Sequence, residues 1–250
     1  LFPDLKSGES ITFDFSKAKK FDPLPMLMTG SMIRRYRGKY PLTSFHITGL
    51  DGTGKCYAGT MGYFKYISEK IDYGKAPGEA RGSTSYIPIT SISLSGLQDD
   101  AIKNGSSLAI GDLIEKKASQ LASVIDRGNT ELHKLLTYLI REMLRNTPEH
   151  AHVFEMWICG QYWPSYKLAE IAIIDEGIGI FRSLSSNHAH SAYIKTNLDA
   201  LTWSLKAGIS DAFQPGHSQG TYFPDVWSNS GFGLYMVQNI CRKLNGSFVL

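Results

Sequence analysis

Between Asn129 and Asn146, apolar residues fall at Leu132, Leu135, Leu136, Leu139, Ile140, Met143 and Leu144. Steps of three and four gather them along one side of a helix and commit the segment to packing on a core. Glu142 and Asn146, one turn apart, then share a different face. A carboxylate and a carboxamide so placed suit a site for a hard cation and a water. The amide oxygen can hold Mg2+, and the carboxylate can orient or deprotonate the water. Taken alone, the pair reads as an ordinary solvated face, because both residue types are common there.

Two later stretches change that reading. Ile171-Ala172-Ile173-Ile174-Asp175-Glu176-Gly177-Ile178-Gly179-Ile180 starts as a short β-branched run, the pattern of a buried strand. It ends in an acid and two glycines that permit a tight turn and close approach of a ligand. Asn229-Ser230-Gly231-Phe232-Gly233-Leu234 is a glycine-rich loop opening a helix expected to run to about Leu244, with Gly246 as its stop. Backbone N–H groups at such a helix start attract phosphate.

In this order the three stretches resemble the boxes of the ATP-binding domain shared by gyrase B subunits, heat-shock chaperones, sensor histidine kinases and MutL, the GHKL group. Glu142 and Asn146, followed by His150-Ala151, match the first box; Asp175, Gly177 and Gly179 match the second; Gly231, Gly233 and Leu234 match the third. The resemblance covers residues 111–250. It implies a Bergerat-type fold, a mixed sheet covered by helices, and two cofactors, ATP and Mg2+. Asp175 would accept a hydrogen bond from the adenine amino group, with Gly177 and Gly179 letting the chain pass close to the base. Asn146 would be the metal ligand. Glu142 would be the catalytic residue, positioning the attacking water. Ser230, Gly231, Phe232, Gly233 and Leu234 would cradle phosphate. Arg145, beside the metal ligand, could face phosphate, but a salt bridge is the better expectation.

The whole chain has 250 residues, 42% of them hydrophobic and 20% charged, enough for one large or two ordinary globular domains. A net charge of +3 is too small to argue for nucleic acid. Cys56, Cys159 and Cys241 are odd in number and far apart, which suggests neither a disulfide framework nor a zinc cluster and fits a reducing cytoplasm. No apolar run approaches the roughly 18 residues of a membrane span. The chain lacks an initiator Met, and Gly246-Ser247-Phe248-Val249-Leu250 reads as a strand just beginning, so it is expected to be a fragment.

Residues 1–95 are expected to form a separate, smaller α/β domain, with 96–110 as a linker and 111–250 as the nucleotide domain, its C-terminal end cut short. Strands are expected at Ile11–Phe15, Ser44–Thr48 and Tyr86–Ile89, the last confined to an edge or end by Pro88. Helices are expected over Pro23–Tyr36 and Cys56–Lys70. The strand–helix order, with Asp14-Phe15-Ser16 after the first strand, resembles small STAS-type domains.

Two other signals compete. Gly49-Leu50-Asp51-Gly52-Thr53-Gly54-Lys55-Cys56 has the spacing of a P-loop, but Cys56 replaces the hydroxyl that would bind Mg2+. A thiol is a poor partner for that ion, and a glycine-rich turn with a solvated Lys is the better account. The run Arg34-Arg35-Tyr36-Arg37-Gly38-Lys39-Tyr40 could face nucleic acid, but reads better as a helix end with cations matched to the dipole.

In the second half, helices are expected over Asp112–Ile125 and Ser191–Ala207, and a hairpin from His152–Cys159 and Leu168–Ile174 turning at Pro164-Ser165. The irregular residues 181–230 fall where the family has its ATP lid. His188, His190 and His217 lack companion acids at metal spacing. His133 reads as a surface or packing residue. The expectation is a Mg-dependent ATP-binding protein, a slow ATPase acting as a conformational switch on another protein or domain. The alternatives are a protein serine or histidine kinase of the anti-sigma or two-component type, and a non-hydrolysing ATP-binding scaffold. A homodimer is left open.

Overall fold

In β1 (Ser10–Asp14), Ile11 and Phe13 face inward between exposed neighbours, the alternation of a half-buried strand. A computed structural model describes residues 9–103, 105, 108–146, 155–209 and 231–250. After β1 come helix α1 (Pro23–Lys39), β2 (Ser44–Thr48), α2 (Thr53–Thr60), α3 (Tyr63–Ile67) and β3 (Tyr86–Ser93). There follow α4 (Leu94–Lys103), α5 (Ile110–Ala122), α6 (Thr130–Asn146), β4 (Glu155–Trp163) and β5 (Leu168–Asp175). Last come α7 (Gly179–Ser186), α8 (His188–Ser191), α9 (Asn197–Ser204) and α10 (Gly233–Lys243). The chain is thus of the mixed α/β class.

Two compact units divide it: residues 1–92 with 157–174, and residues 93–156 with 175–250. In the first, β1 and β2 pair in parallel, Ser10 opposite Ser44 and Asp14 opposite Thr48, with α1 as the crossover. A second sheet has the order β3-β4-β5, so β3, with its Pro88, is at an edge. The core gathers Met26, Leu27, Phe64, Ile67 and Ile89 with Cys159 and Ala172 of the hairpin. Aromatic rings fill it edge-on, Phe15 against Tyr63 and Phe64.

That packing corrects three expectations. The hairpin 157–174, assigned from sequence to the nucleotide domain, belongs to the first unit. Cys159 and Ala172 enter its core, and the Glu170 carboxylate accepts the Leu24 N–H at 2.8 Å at the start of α1. Residues 96–110 are helical as far as Lys103 rather than a bare linker. The helix expected over Cys56–Lys70 is broken at Gly62, which takes φ +88 with Pro77 Cα 3.3 Å from where a β-carbon would stand.

The P-loop-like turn is pressed onto the segment after β1. A β-carbon on Gly54 would stand 2.7 Å from the Lys19 carbonyl oxygen. Lys55 is buried rather than solvated, and its Nζ donates to the Ser16 carbonyl at 3.4 Å. In the basic run, Arg37 donates to the Ile67 carbonyl at 2.6 Å, and the Arg34 guanidinium stacks 4.8 Å from the Tyr66 ring centroid and 4.7 Å from that of Trp157.

In the second unit, α5 packs on α6 and α6 on α10. Leu113, Ile114, Ala118 and Leu121 of α5 are buried, as are Leu136, Ile140 and Leu144 of α6 and Val237 and Ile240 of α10. A smaller core joins Leu184, Ile194 and Ala200. The helix expected over Ser191–Ala207 is shorter, beginning after Thr196, whose hydroxyl and the Asp199 carboxylate close a capping box. Helix α10 ends in a Schellman turn: Gly246 N–H reaches the Cys241 carbonyl at 2.8 Å and Asn245 N–H that of Arg242 at 3.0 Å. The left-handed residue is Asn245 (φ 55), not the expected Gly246. Gly246–Leu250, read from sequence as the start of a strand, has no regular secondary structure.

Candidate functional site

Helix α6 starts where Asn129 caps it, the side-chain oxygen accepting the Leu132 N–H at 3.0 Å. Four turns on, Glu142 is buried, 7% exposed, with its two carboxylate oxygens in different settings. Oε1 accepts from Arg141 Nε at 3.1 Å and Nη2 at 2.8 Å, with Arg145 Nη1 at 3.8 Å. Arg141 also donates from Nη1 to Glu115 of α5 at 3.2 Å. Burial alone would lower the Arg141 pKa, but hydrogen bonding and charge from Glu142, then Glu115, outweigh it and raise it.

The other oxygen, Oε2, faces the start of α10. A β-carbon on Gly233 would stand 2.9 Å from it and 3.9 Å from Asn146 Oδ1. Glycine at 233 is what lets the start of α10 meet α6 so closely. Phe232, at the N-cap of α10, makes no side-chain capping hydrogen bond among the described residues. The N–H groups of Gly233, Leu234 and Tyr235 have no partner within the helix by position, so this end carries the positive pole of the helix dipole. The Asn146 Nδ2 is buried without a hydrogen-bond partner among the described residues. Glu142, Asn146 and Gly233, drawn from two sequence boxes, therefore lie side by side.

Comparison with family models, curated proteins and solved structures gives no match.

The remaining residues are arranged as follows. Gly231, in the left-handed region at φ +70, accepts the Gly208 N–H at 3.0 Å; a β-carbon there would stand 2.6 Å from Ile209 N. Phe232 is 44% exposed and Leu234 half-buried. Asp175 ends β5, exposed, and accepts the Gly177 N–H at 2.9 Å. Gly179 (φ +78) opens α7 with nothing within 4 Å of its β-carbon position. Among the described residues no hydrogen bond or ion pair joins Asp175 to Glu142, Asn146 or Gly233. Ser230, and the His150-Ala151 pair of the first box, lie outside the described residues.

Arg141 and Glu115 escaped sequence reasoning. Adjacent helical residues point apart, so only the bend of a long side chain and a neighbouring helix bring Arg141 onto Glu142. Among the described residues no three His, Cys, Asp or Glu side chains group as a metal cluster. A cation here would rest on the Asn146 amide oxygen together with oxygens of its ligand and water, a donor set that suits Mg2+.

Proposed function

We propose that the second unit binds ATP with Mg2+ as a GHKL-type, Bergerat-type module, hydrolyses it slowly, and uses the cycle to switch contacts with another protein or domain. The observation that carries the reading is the meeting of Glu142 and Asn146 with the uncapped start of α10 at Gly233. That end combines backbone N–H groups that have no intrahelical partner with a helix dipole, the pairing that holds phosphate.

In this reading Asn146 offers its oxygen to the cation and Glu142 Oε2 orients the attacking water. Arg141 occupies Oε1, so the carboxylate has one free acceptor edge and a fixed direction. Mg2+, when bound, neutralises phosphate charge and lowers the barrier to attack. Asp175, exposed at the end of β5, takes the adenine amino group. The free thiols of Cys56, Cys159 and Cys241 accord with a cytoplasmic setting. Among the described residues no helix is long and apolar enough to cross a membrane.

The test is titration of the chain with ATP, with and without Mg2+, followed by release of labelled phosphate. Mg-dependent binding with slow release supports the reading. Label retained on protein would make it a kinase, label neither released nor transferred would make it a binding scaffold, and absence of binding would remove the reading altogether.

A further inference from the structure

The α5–α6 hairpin holds a line of three side chains that nucleotide binding does not use. Ser119 Oγ lies 3.0 Å from His133 Nε2, and His133 Nδ1 lies 2.6 Å from Asp126 Oδ2. The second oxygen of Asp126 accepts the Gly128 N–H at 2.8 Å. A carboxylate only accepts, so His133 Nδ1 carries the proton in the neutral ring and Nε2 is left as the acceptor. The Ser119 hydroxyl then donates to Nε2. Nucleophile, base and orienting acid thus stand in the order that activates a serine.

The turn holding the acid is strained. Arg127 (φ 57) and Gly128 (φ 76) are consecutive left-handed residues, and Arg127 is not glycine. The Asn129 N–H closes the turn on the Asp126 carbonyl at 3.0 Å. The Asp126 side chain is 11% exposed, whereas the His133 side chain keeps 30% of its surface open. The acid is locked while the base reaches solvent. Backbone strain of this kind clusters where a side chain must be aimed.

We propose that Ser119 is a base-activated nucleophile that takes an acyl group from small carboxylic esters at the solvent edge of the α5–α6 hairpin. Ser119 Oγ forms a bond to the ester carbonyl carbon while His133 Nε2 takes the hydroxyl proton. The carbon–oxygen bond to the leaving alcohol breaks, and the alcohol departs with that proton. A water, deprotonated by His133, then cleaves the acyl-serine to free acid and restored Ser119. No electrons are exchanged with a cofactor. General-base assistance is worth about 10²–10⁴-fold. The chemistry is independent of nucleotide.

The test treats the whole chain with p-nitrophenyl acetate, follows p-nitrophenolate release, and maps acetylation by peptide mass spectrometry. The expected result is one acetyl group on Ser119 and release slowed at least ~10-fold by His133→Gln and Asp126→Asn, with circular dichroism unchanged. Ser119→Ala should abolish the mapped adduct. Absence of acetyl-Ser119 on the unaltered chain overturns the proposal, and that arm needs no variant to fold. Unslowed acetylation of Ser119 in folded His133→Gln also overturns it, since the serine would then react without its base.

Discussion

Glu142 Oε2 lies 2.9 Å from where Gly233 would carry a β-carbon, so α6 and the start of α10, far apart in sequence, meet too closely for a methyl group unless one of them shifts. Gly233→Ala must push α10 from α6 or turn the carboxylate away. ATP affinity should fall, with roughly a tenfold loss for each ~1.4 kcal/mol of phosphate contact given up. Calorimetric titration checks it. Unchanged affinity in a folded Gly233→Ala protein would mean that the phosphate does not sit at this contact.

Glu142→Ala removes the carboxylate edge that the proposed mechanism gives to the water, and it also takes one acceptor from Arg141, which keeps Glu115. Turnover should fall by about 10²–10⁴-fold while ATP still binds. A folding loss of about 1–3 kcal/mol should accompany it, because a partly buried cation loses an acceptor. Glu142→Gln keeps an oxygen for Arg141, so it should lose turnover with less instability. Comparing phosphate release with the urea midpoint of both variants separates chemistry from support. Normal turnover in either variant would remove Glu142 from the reaction.

Local pattern made α5 and α6 legible, because each carries an apolar stripe at helical spacing, while α10 was legible from the glycine-rich loop that opens it; in α1 the helix was found but Met28, read as inward, is exposed. The strands β1 and β2 were legible from apolar spacing at period two. What was not legible depends on distant partners. Cys159 and Ala172 join the first unit only because Leu27, Phe64 and Ile89 receive them. Arg141 bridges Glu142 of its own helix and Glu115 of α5, a link no local pattern shows. Thr196, capping with Asp199, moves a helix start that apolar spacing had placed earlier. Spacing alone paired Glu142 with Asn146; only the resemblance to the GHKL boxes grouped Gly233 with them, and the packing of α6 on α10 supplies the closeness that neither could.

Asp175 allows base recognition to be separated from turn structure. Asp175→Asn keeps an oxygen for the Gly177 N–H but loses the carboxylate. ATP binding should disappear with little change in melting temperature. Asp175→Ala should lose binding and also destabilise the turn, by about 0.5–1.5 kcal/mol. Binding titrations beside thermal melts check the pair. Undiminished ATP binding by Asp175→Asn would exclude Asp175 as the adenine acceptor.

The clasp between Gly208 and Gly231 gives a stability prediction independent of ligand. At Gly231 both the left-handed backbone and the 2.6 Å approach of Ile209 N disfavour a side chain. Gly231→Ala should therefore destabilise the second unit by about 1–3 kcal/mol. Gly128, also left-handed but with nothing within 4 Å of its β-carbon position, is the control for conformational strain without a clash. If both alanine variants melt together, the contact at Ile209 adds nothing.

Alkaline pH should weaken the first unit through Tyr63. Burial pushes its hydroxyl up to about 12, against the smaller opposite effect of the Thr29 hydroxyl 2.8 Å away. In the unfolded chain the same phenol titrates near pH ~10. The folded state thus favours the neutral phenol. Its contribution is complete below pH ~10 and is lost as pH rises through the folded value, an amount on the order of 2–3 kcal/mol. Burial raises Tyr57 and Cys159 in the same direction, so the decline should exceed that from Tyr63 alone. Urea midpoints measured from pH 9 to 12, with tyrosinate absorbance followed in parallel, give the slope. Tyr63→Phe removes the titrating group, and Thr29 keeps its bond to the Pro25 carbonyl, so the decline should become shallower. An equally steep decline in Tyr63→Phe would place the alkaline sensitivity in other buried groups.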